Sequence, residues 1–118
     1  MTTMTSPSVD DETYTMLQEI MADEFGELLG FFRADTLTAL DNLQQCLDAE
    51  DSAQVGAICH KLKSSGKLIG AFQLAELSSS LEGYKDDHDH QRAAGNLGDL
   101  RAEYSKVVAW LDAQPLAA

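Results

Sequence analysis

Apolar residues recur at threes and fours along most of this chain, and no stretch alternates strictly in the manner of a half-buried strand. Tyr14, Leu17, Ile20 and Met21 fall at helical spacing within DDETYTMLQEIM, whose first-turn acids suit a helix N-terminus, so a short amphipathic helix is predicted from Asp10. From Asp23 to Glu50 the stripe runs through Phe25, Leu28, Leu29, Phe32, Leu37, Leu40, Leu43 and Leu47, with one wider step where Thr36 intervenes, and predicts one long helix. Asp51 or Ser52 can cap the next helix, which runs to about Ile69 and stops at Gly70. Phe72, Leu74, Leu77 and Leu81 then carry a fourth helix until KDDHDHQ interrupts as a polar connection. Leu97, Leu100, Tyr104, Val107, Val108 and Leu111, with Trp110 beside them, form a last helix that Pro115 discourages from continuing.

Long helices joined by short connections favour antiparallel neighbours, so the expected fold is all-α: an antiparallel up-and-down four-helix bundle with a short N-terminal cap helix. Residues 1–9, rich in Thr and Ser, are expected to be a flexible N-terminal segment, 10–114 the bundle, and 115–118 a tail. A length of 118 residues fits one domain with a modest core. The start lacks the basic and apolar regions of a signal peptide, and no apolar run is long enough to span a bilayer, which points to the cytoplasm. Cys46 and Cys59 lie within apolar helical patterns and read as buried free thiols.

Charge changes the picture. The net charge of −12 opposes binding to nucleic acid or anionic membranes and makes proteins the expected partners. Within this acidic chain the window between Asp51 and Glu76 contains no acid; its formal charge is +3, against −15 for the rest. That window holds ICHKLKSSGKLIGA, three lysines gathered around one histidine. With about 100° of rotation per residue, Val55, Ile58, Cys59, Leu62, Ser65, Gly66 and Ile69 form a core stripe opposite His60. Ala53, Gly56, Ala57, Lys63, Ser64 and Lys67 share the side of His60, so the ring is expected to project outward among small neighbours and two cations. Taken singly, an exposed histidine and a lysine-bearing helix face are ordinary surface. Together, the missing acids, the small side chains and the nearby ammonium groups describe an anion site. A neutral imidazole is nucleophilic near neutral pH, and an added phosphoryl group carries charge that lysines can stabilise.

The stretch HKLKSSGKLIGAFQLAELSSSLE resembles the signature of histidine-containing phosphotransfer domains. The matching positions are His60, Lys63, Ser64, Gly70, Ala71, Leu74, Leu77, Leu81 and Glu82, and the upstream LLGFFRADTLTALDNLQQCLDAED is similar to the family's preceding helix. Many members carry Gly after the lysine, where this chain has Ser64. The resemblance implies a small phospho-carrier rather than an enzyme, passing phosphoryl groups between aspartates of response-regulator receiver domains in a multistep relay. His60 would be the phospho-acceptor, with Lys63 and Lys67 orienting or neutralising the phosphoryl group. Gly56, Ala57, Lys61, Ser64 and Gly70 would form the binding surface, Lys61 by steering the acidic partner. It also implies receiver domains and a hybrid sensor histidine kinase as partners, a monomeric carrier, and no intrinsic cofactor, the magnesium being expected on the receiver. The alternative is a helical interaction bundle that binds a receiver or kinase without carrying phosphate.

Other constellations are weaker. Asp86 to His90, DDHDH, offers oxygen and imidazole ligands, but its spacing matches no standard zinc or calcium pattern, so no metal site is expected. Ser78, Ser79 and Ser80 have no visible base or oxyanion arrangement for hydrolysis.

Overall fold

Residues 8–115 are described by a computed structural model, and all of their regular structure is helical. The order is α1 (Asp11–Met21), a 3₁₀ turn (Ala22–Glu24), α2 (Phe25–Asp48), α3 (Ser52–Ile69), α4 (Phe72–Glu82), a single turn α5 (Tyr84–Asp87) and α6 (His90–Asp112). Expected positions 1–7 and 116–118 lie outside the described residues. Position 9 does not belong to a loose polar start: Val9 is fully buried. The cause is local. Asp10 caps α1, accepting from Thr13 N at 3.0 Å and Thr13 Oγ1 at 2.6 Å, which puts Val9 just before the cap and buried Tyr14 at the fourth helical position, the two places of a hydrophobic staple.

Caps set the other boundaries. Asp51 accepts from Gln54 N at 3.2 Å and starts α3, and Asp89 accepts from Arg92 N at 3.0 Å and starts α6. Gly70 ends α3 with φ 92°, in the left-handed region where a Cβ is disfavoured. The polar connection is more ordered than a simple loop, since α5 occupies its first half and buries Tyr84.

Helices α2, α3, α4 and α6 pack around one core, α3 against α2 and α4, and α6 against the same two. Their inward stripes meet in Leu43, Leu47, Val55, Leu74, Leu81 and Leu100, each 0–1% exposed. Three predicted stripe positions point the other way: Leu37, Ile20 and, at the start of α4, Phe72, which is 46% exposed. In α2 the chain buries Phe32, Thr36 and Leu40, a regular step of four, so Leu37 is rotated about 100° outward and is 56% exposed. Thr36, not Leu37, fills the wider step. In α1 the inward residues are Tyr14, Leu17 and Met21, leaving Ile20 75% exposed. Tyr14 sits edge-on to Phe25 and Trp110, at centroid distances of 5.0 and 4.8 Å, and joins α1 to α2 and α6.

One buried group works against this core at neutral pH. Burial pushes the Glu103 carboxyl in α6 above its ordinary value, more than Lys106 and the Ser8 hydroxyl pull it down. A carboxyl raised on folding disfavours the fold above its folded pKa, and that penalty vanishes as pH falls below the unfolded value. Glu103→Gln is therefore expected to raise stability at pH 7 relative to the parent and to lose that advantage near pH 4. Urea unfolding of both proteins at the two pH values checks the sign; an equal gain at both would remove ionisation as its cause.

Candidate functional site

Helix α3 forms a ridge with His60 at its crest. The core stripe predicted opposite the histidine is the side that packs, with Val55, Cys59, Leu62, Gly66 and Ile69 buried. The His60 side chain is 66% exposed. Ala57, Lys61, Ser64 and Lys67 are also exposed, and the Ser64 hydroxyl donates to the His60 carbonyl at 3.3 Å. A groove of about 610 Å³ flanks one side of the ridge, where Asp35, Thr38 and Asn42 of α2 face Gln54, Lys61 and Ser64. A smaller one of about 350 Å³ flanks the other, where Lys63 and Lys67 face Phe72, Glu76 and Ser79 of α4.

The close approach of α4 to α3 depends on Gly66. A Cβ there would lie 3.1 Å from the Ala71 carbonyl oxygen and 3.3 Å from Ala75 N, tighter than ordinary contact, so a side chain at this position would press the two backbones apart by a few tenths of an ångström. This contact brings the last residue of α4, Glu82, alongside the middle of α3. Glu82 Oε1 accepts from Lys63 Nζ at 3.2 Å, while Oε2 accepts from Lys85 Nζ at 3.3 Å and stands 3.6 Å from His60 Nδ1. Burial pushes the Glu82 carboxyl up, but the hydrogen bonds and charges of Lys63 and Lys85 together outweigh it and hold it below its ordinary value. The carboxylate is thus ionised at neutral pH in the middle of three nitrogens. The local absence of acids along α3 therefore does not make the site purely cationic, because the fold imports an acid from the next helix.

Two of the expected binding residues sit differently from expectation. Gly56 is buried: the aliphatic stem of Lys85 lies over it, and a Cβ would come within 2.8 Å of Lys85 Cδ. The glycine makes room for a neighbouring lysine instead of leaving open space beside the ring. Gly70 is ten positions along α3, about 15 Å from His60 by helical rise, and is covered by Asp10 and Thr13, with its carbonyl accepting from Asp10 N at 2.8 Å. Its role is to end α3 and seat α1. Gly70→Ala is expected to destabilise the fold by roughly 1–2 kcal/mol, the cost of a left-handed non-glycine residue, with no change in His60 reactivity per folded molecule. Denaturant unfolding together with labelling at native conditions separates the two effects.

Lys85 and the ion-pairing role of Glu82 had no local signal, since Lys63 and Glu82 are 19 residues apart and only the α3–α4 packing joins them. Among the described residues Lys61 and Lys67 make no ion pair. Four of the DDHDH residues are engaged locally: Asp87 pairs with Arg92 and accepts from Asp89 N, Asp89 caps α6, and His88 and His90 lie about 6 Å from the Tyr84 ring. Ser78 is buried with its hydroxyl donating to the Leu74 carbonyl at 2.9 Å. Cys46 and Cys59 are free; burial first, and then the Glu82 charge, push the Cys59 thiol up to about 12, while Cys46 is half-buried.

An outward imidazole between ammonium groups, with a carboxylate behind one of its nitrogens, can act as a nucleophile toward an anionic electrophile. Comparison with known proteins agrees with that chemistry. A family model described as Hpt domain matches residues 27–110. Among solved structures, the chain is similar to histidine-containing phosphotransfer protein B (HptB) from Pseudomonas aeruginosa PAO1, with 27% identity and a TM-score of 0.83 over 92% of this chain and 96% of that one. No curated protein matches it.

Proposed function

Because the chain belongs to the Hpt domain family, whose members act in histidine phosphotransfer, we propose that His60 accepts a phosphoryl group from the aspartate of one receiver domain and donates it to another. The carrying observation is the 66% exposure of His60 on the crest of α3, with Lys63 and Lys67 one and two turns along the same helix. The imidazole attacks phosphorus as the aspartyl P–O bond breaks, and the two lysines balance the charge of the arriving group. Lys63 is the nearer partner and would exchange part of its contact with Glu82 for phosphoryl oxygens. Lys61, on the groove side, steers the acidic receiver, which supplies magnesium and its own carboxylates. Ala57 and Ser64 leave space on either side of the ring for docking.

The same reading gives an antiparallel up-and-down bundle with α1 as its cap. Arg33 pairs with Asp112 at 2.8 Å and its carbonyl accepts from Tyr104 at 3.1 Å, while the Leu40 carbonyl accepts from Arg101 at 3.3 Å. Numbers rise along α2 as they fall along α6, and the pairing of Lys63 with Glu82 and of Gly66 with Ala75 does the same for α3 and α4. The carrier acts as a monomer in the cytoplasm, between a hybrid sensor kinase and a response regulator. Among the described residues no helix is long and apolar enough to cross a membrane.

Incubating the protein with receiver domains labelled on aspartate tests this reading. Label should move to the protein in a form that is acid-labile and alkali-stable, as expected of a phosphorus–nitrogen bond. Absence of transfer from every receiver that itself holds phosphate would overturn it.

A further inference from the structure

Lys85 is the one cation of the site that lies outside α3, and two contacts set it apart. Its ammonium bonds Glu82 Oε2, the oxygen that stands 3.6 Å from His60 Nδ1, whereas Lys63 bonds the other oxygen. Its stem lies across Gly56, one turn before the histidine, where an added Cβ would stand 2.8 Å from Lys85 Cδ and 3.3 Å from Lys85 Cβ. Buried Tyr84 anchors the turn that delivers it. A helical side chain leans over the turn before its own Cα. The His60 ring therefore reaches back over the Gly56 turn, toward Lys85, while Lys67 leans back only over the turn of Lys63. Resting on the phosphotransfer reading above, we propose that Lys85 is the second phosphoryl-binding cation of the site, and that Gly56 is the positioning residue that lets its stem lie close enough to α3 to reach the ring.

As a ring nitrogen of His60 forms its bond to phosphorus, the aspartyl P–O bond breaks and its electron pair returns to the aspartate carboxylate. The phosphoryl oxygens then arrive between Lys63, one turn after the histidine, and Lys85, on the side of the turn before it. No existing contact has to break. An ammonium has three N–H donors; Lys85 makes one hydrogen bond, to Glu82, and its side chain is 46% exposed, so its remaining donors can turn from water to phosphoryl oxygens. A charge held in place before the reaction needs no reorganisation as the anion arrives, and the bond to Glu82 holds this one. Glycine is otherwise a poor choice at position 56, since in a helix interior it is less stable than alanine. The room it leaves is filled by Lys85: the three atoms nearest the added Cβ all belong to that stem. At Gly66 the same test meets backbone, whereas at Gly56 it meets a single flexible side chain that can move aside.

Gly56→Ala tests the pair without removing a charge. The added methyl should push the Lys85 stem aside while the helical signal and unfolding midpoint stay at or above those of the parent, because alanine favours the helix. Receiver-dependent transfer should nevertheless fall about 10-fold, and by a similar factor in Lys85→Met. Both losses stay below the roughly 100-fold of a fixed donor in a closed site because this ammonium is half exposed. Lys85→Arg should recover most of the rate, and Lys67→Met should lose less than Lys85→Met. Adding Gly56→Ala to Lys85→Met should cost nothing further, the non-additivity expected of two residues that act through one contact. After labelling with phosphoramidate, the Lys85 Nζ ¹⁵N signal of the intact protein, assigned by its loss in Lys85→Met, should shift, a response that a purely structural lysine would not give. Parental transfer by Lys85→Met, a full additional loss in the double variant, or an Nζ signal that ignores the label overturns the proposal. A parent that takes no label from receivers or phosphoramidate fails the phosphotransfer reading and the proposal together, whereas a labelled parent with an indifferent Lys85 fails the proposal alone.

Discussion

His60→Gln is expected to take no acid-labile phosphoryl label from any receiver while keeping its helical signal and its unfolding midpoint. The loss should be complete, because glutamine offers no nucleophilic ring nitrogen. The fold should be indifferent, because the side chain is 66% exposed and lies on the side of α3 opposite its buried stripe. Substitutions at such positions change stability by no more than about 0.5 kcal/mol. The charged cluster also survives the change, since Glu82 keeps its bonds to Lys63 and Lys85. Receiver-dependent labelling of the variant, compared with the parent under the same donor, measures the effect, and far-ultraviolet circular dichroism checks the fold. Undiminished label would move the acceptor to His88 or His90, and mapping the labelled peptide would say which.

The face of α3 was legible because a helix of known handedness turns a string of residue types into directions. The predicted inward set proved to be the packed side, and His60 with Ala57, Lys61, Ser64 and Lys67 proved exposed. Helix limits were legible where a cap fixes them, at Asp51 and Gly70. Periodicity failed where a polar residue could take the inward place. Thr36 is buried and Leu37 is not, because spacing from Phe32 to Leu40 decides the direction and hydrophobicity does not. The site itself was half legible. The exposed residues that α3 places around His60 lie in one window, whereas Glu82 and Lys85 reach His60 through the close contact at Gly66 and the turn at α5. Neither is a local property. Gly56 shows the same limit from the other side: a missing side chain reads as open space in a sequence, yet here it is filled by Lys85.

That difference decides how the docking face should be tested. Tryptophan at Gly56 would collide with Lys85 and disturb the cluster with Glu82, so a loss of transfer there would say nothing about docking. Ala57 and Ser64 are exposed on the crest and free of such contacts, apart from the Ser64 bond to the His60 carbonyl. They also differ in direction. A helical side chain leans over the turn before its own Cα, so tryptophan at position 64 lies toward the imidazole and tryptophan at position 57 lies away from it. Ala57→Trp should therefore obstruct a docked receiver without shielding the ring, and Ser64→Trp should do both. In-line transfer tolerates little displacement, an error of about 1 Å being able to cost about 100-fold. Both variants are expected to lose at least about 100-fold in receiver-dependent transfer. Toward phosphoramidate, a donor small enough to reach the ring from the side, Ala57→Trp should stay within about two-fold of the parent, the kinetic equivalent of a surface change of about 0.5 kcal/mol, while Ser64→Trp slows markedly. Transfer from receivers to Ala57→Trp at the parental rate would place docking on another face of the bundle, even with His60 as the acceptor.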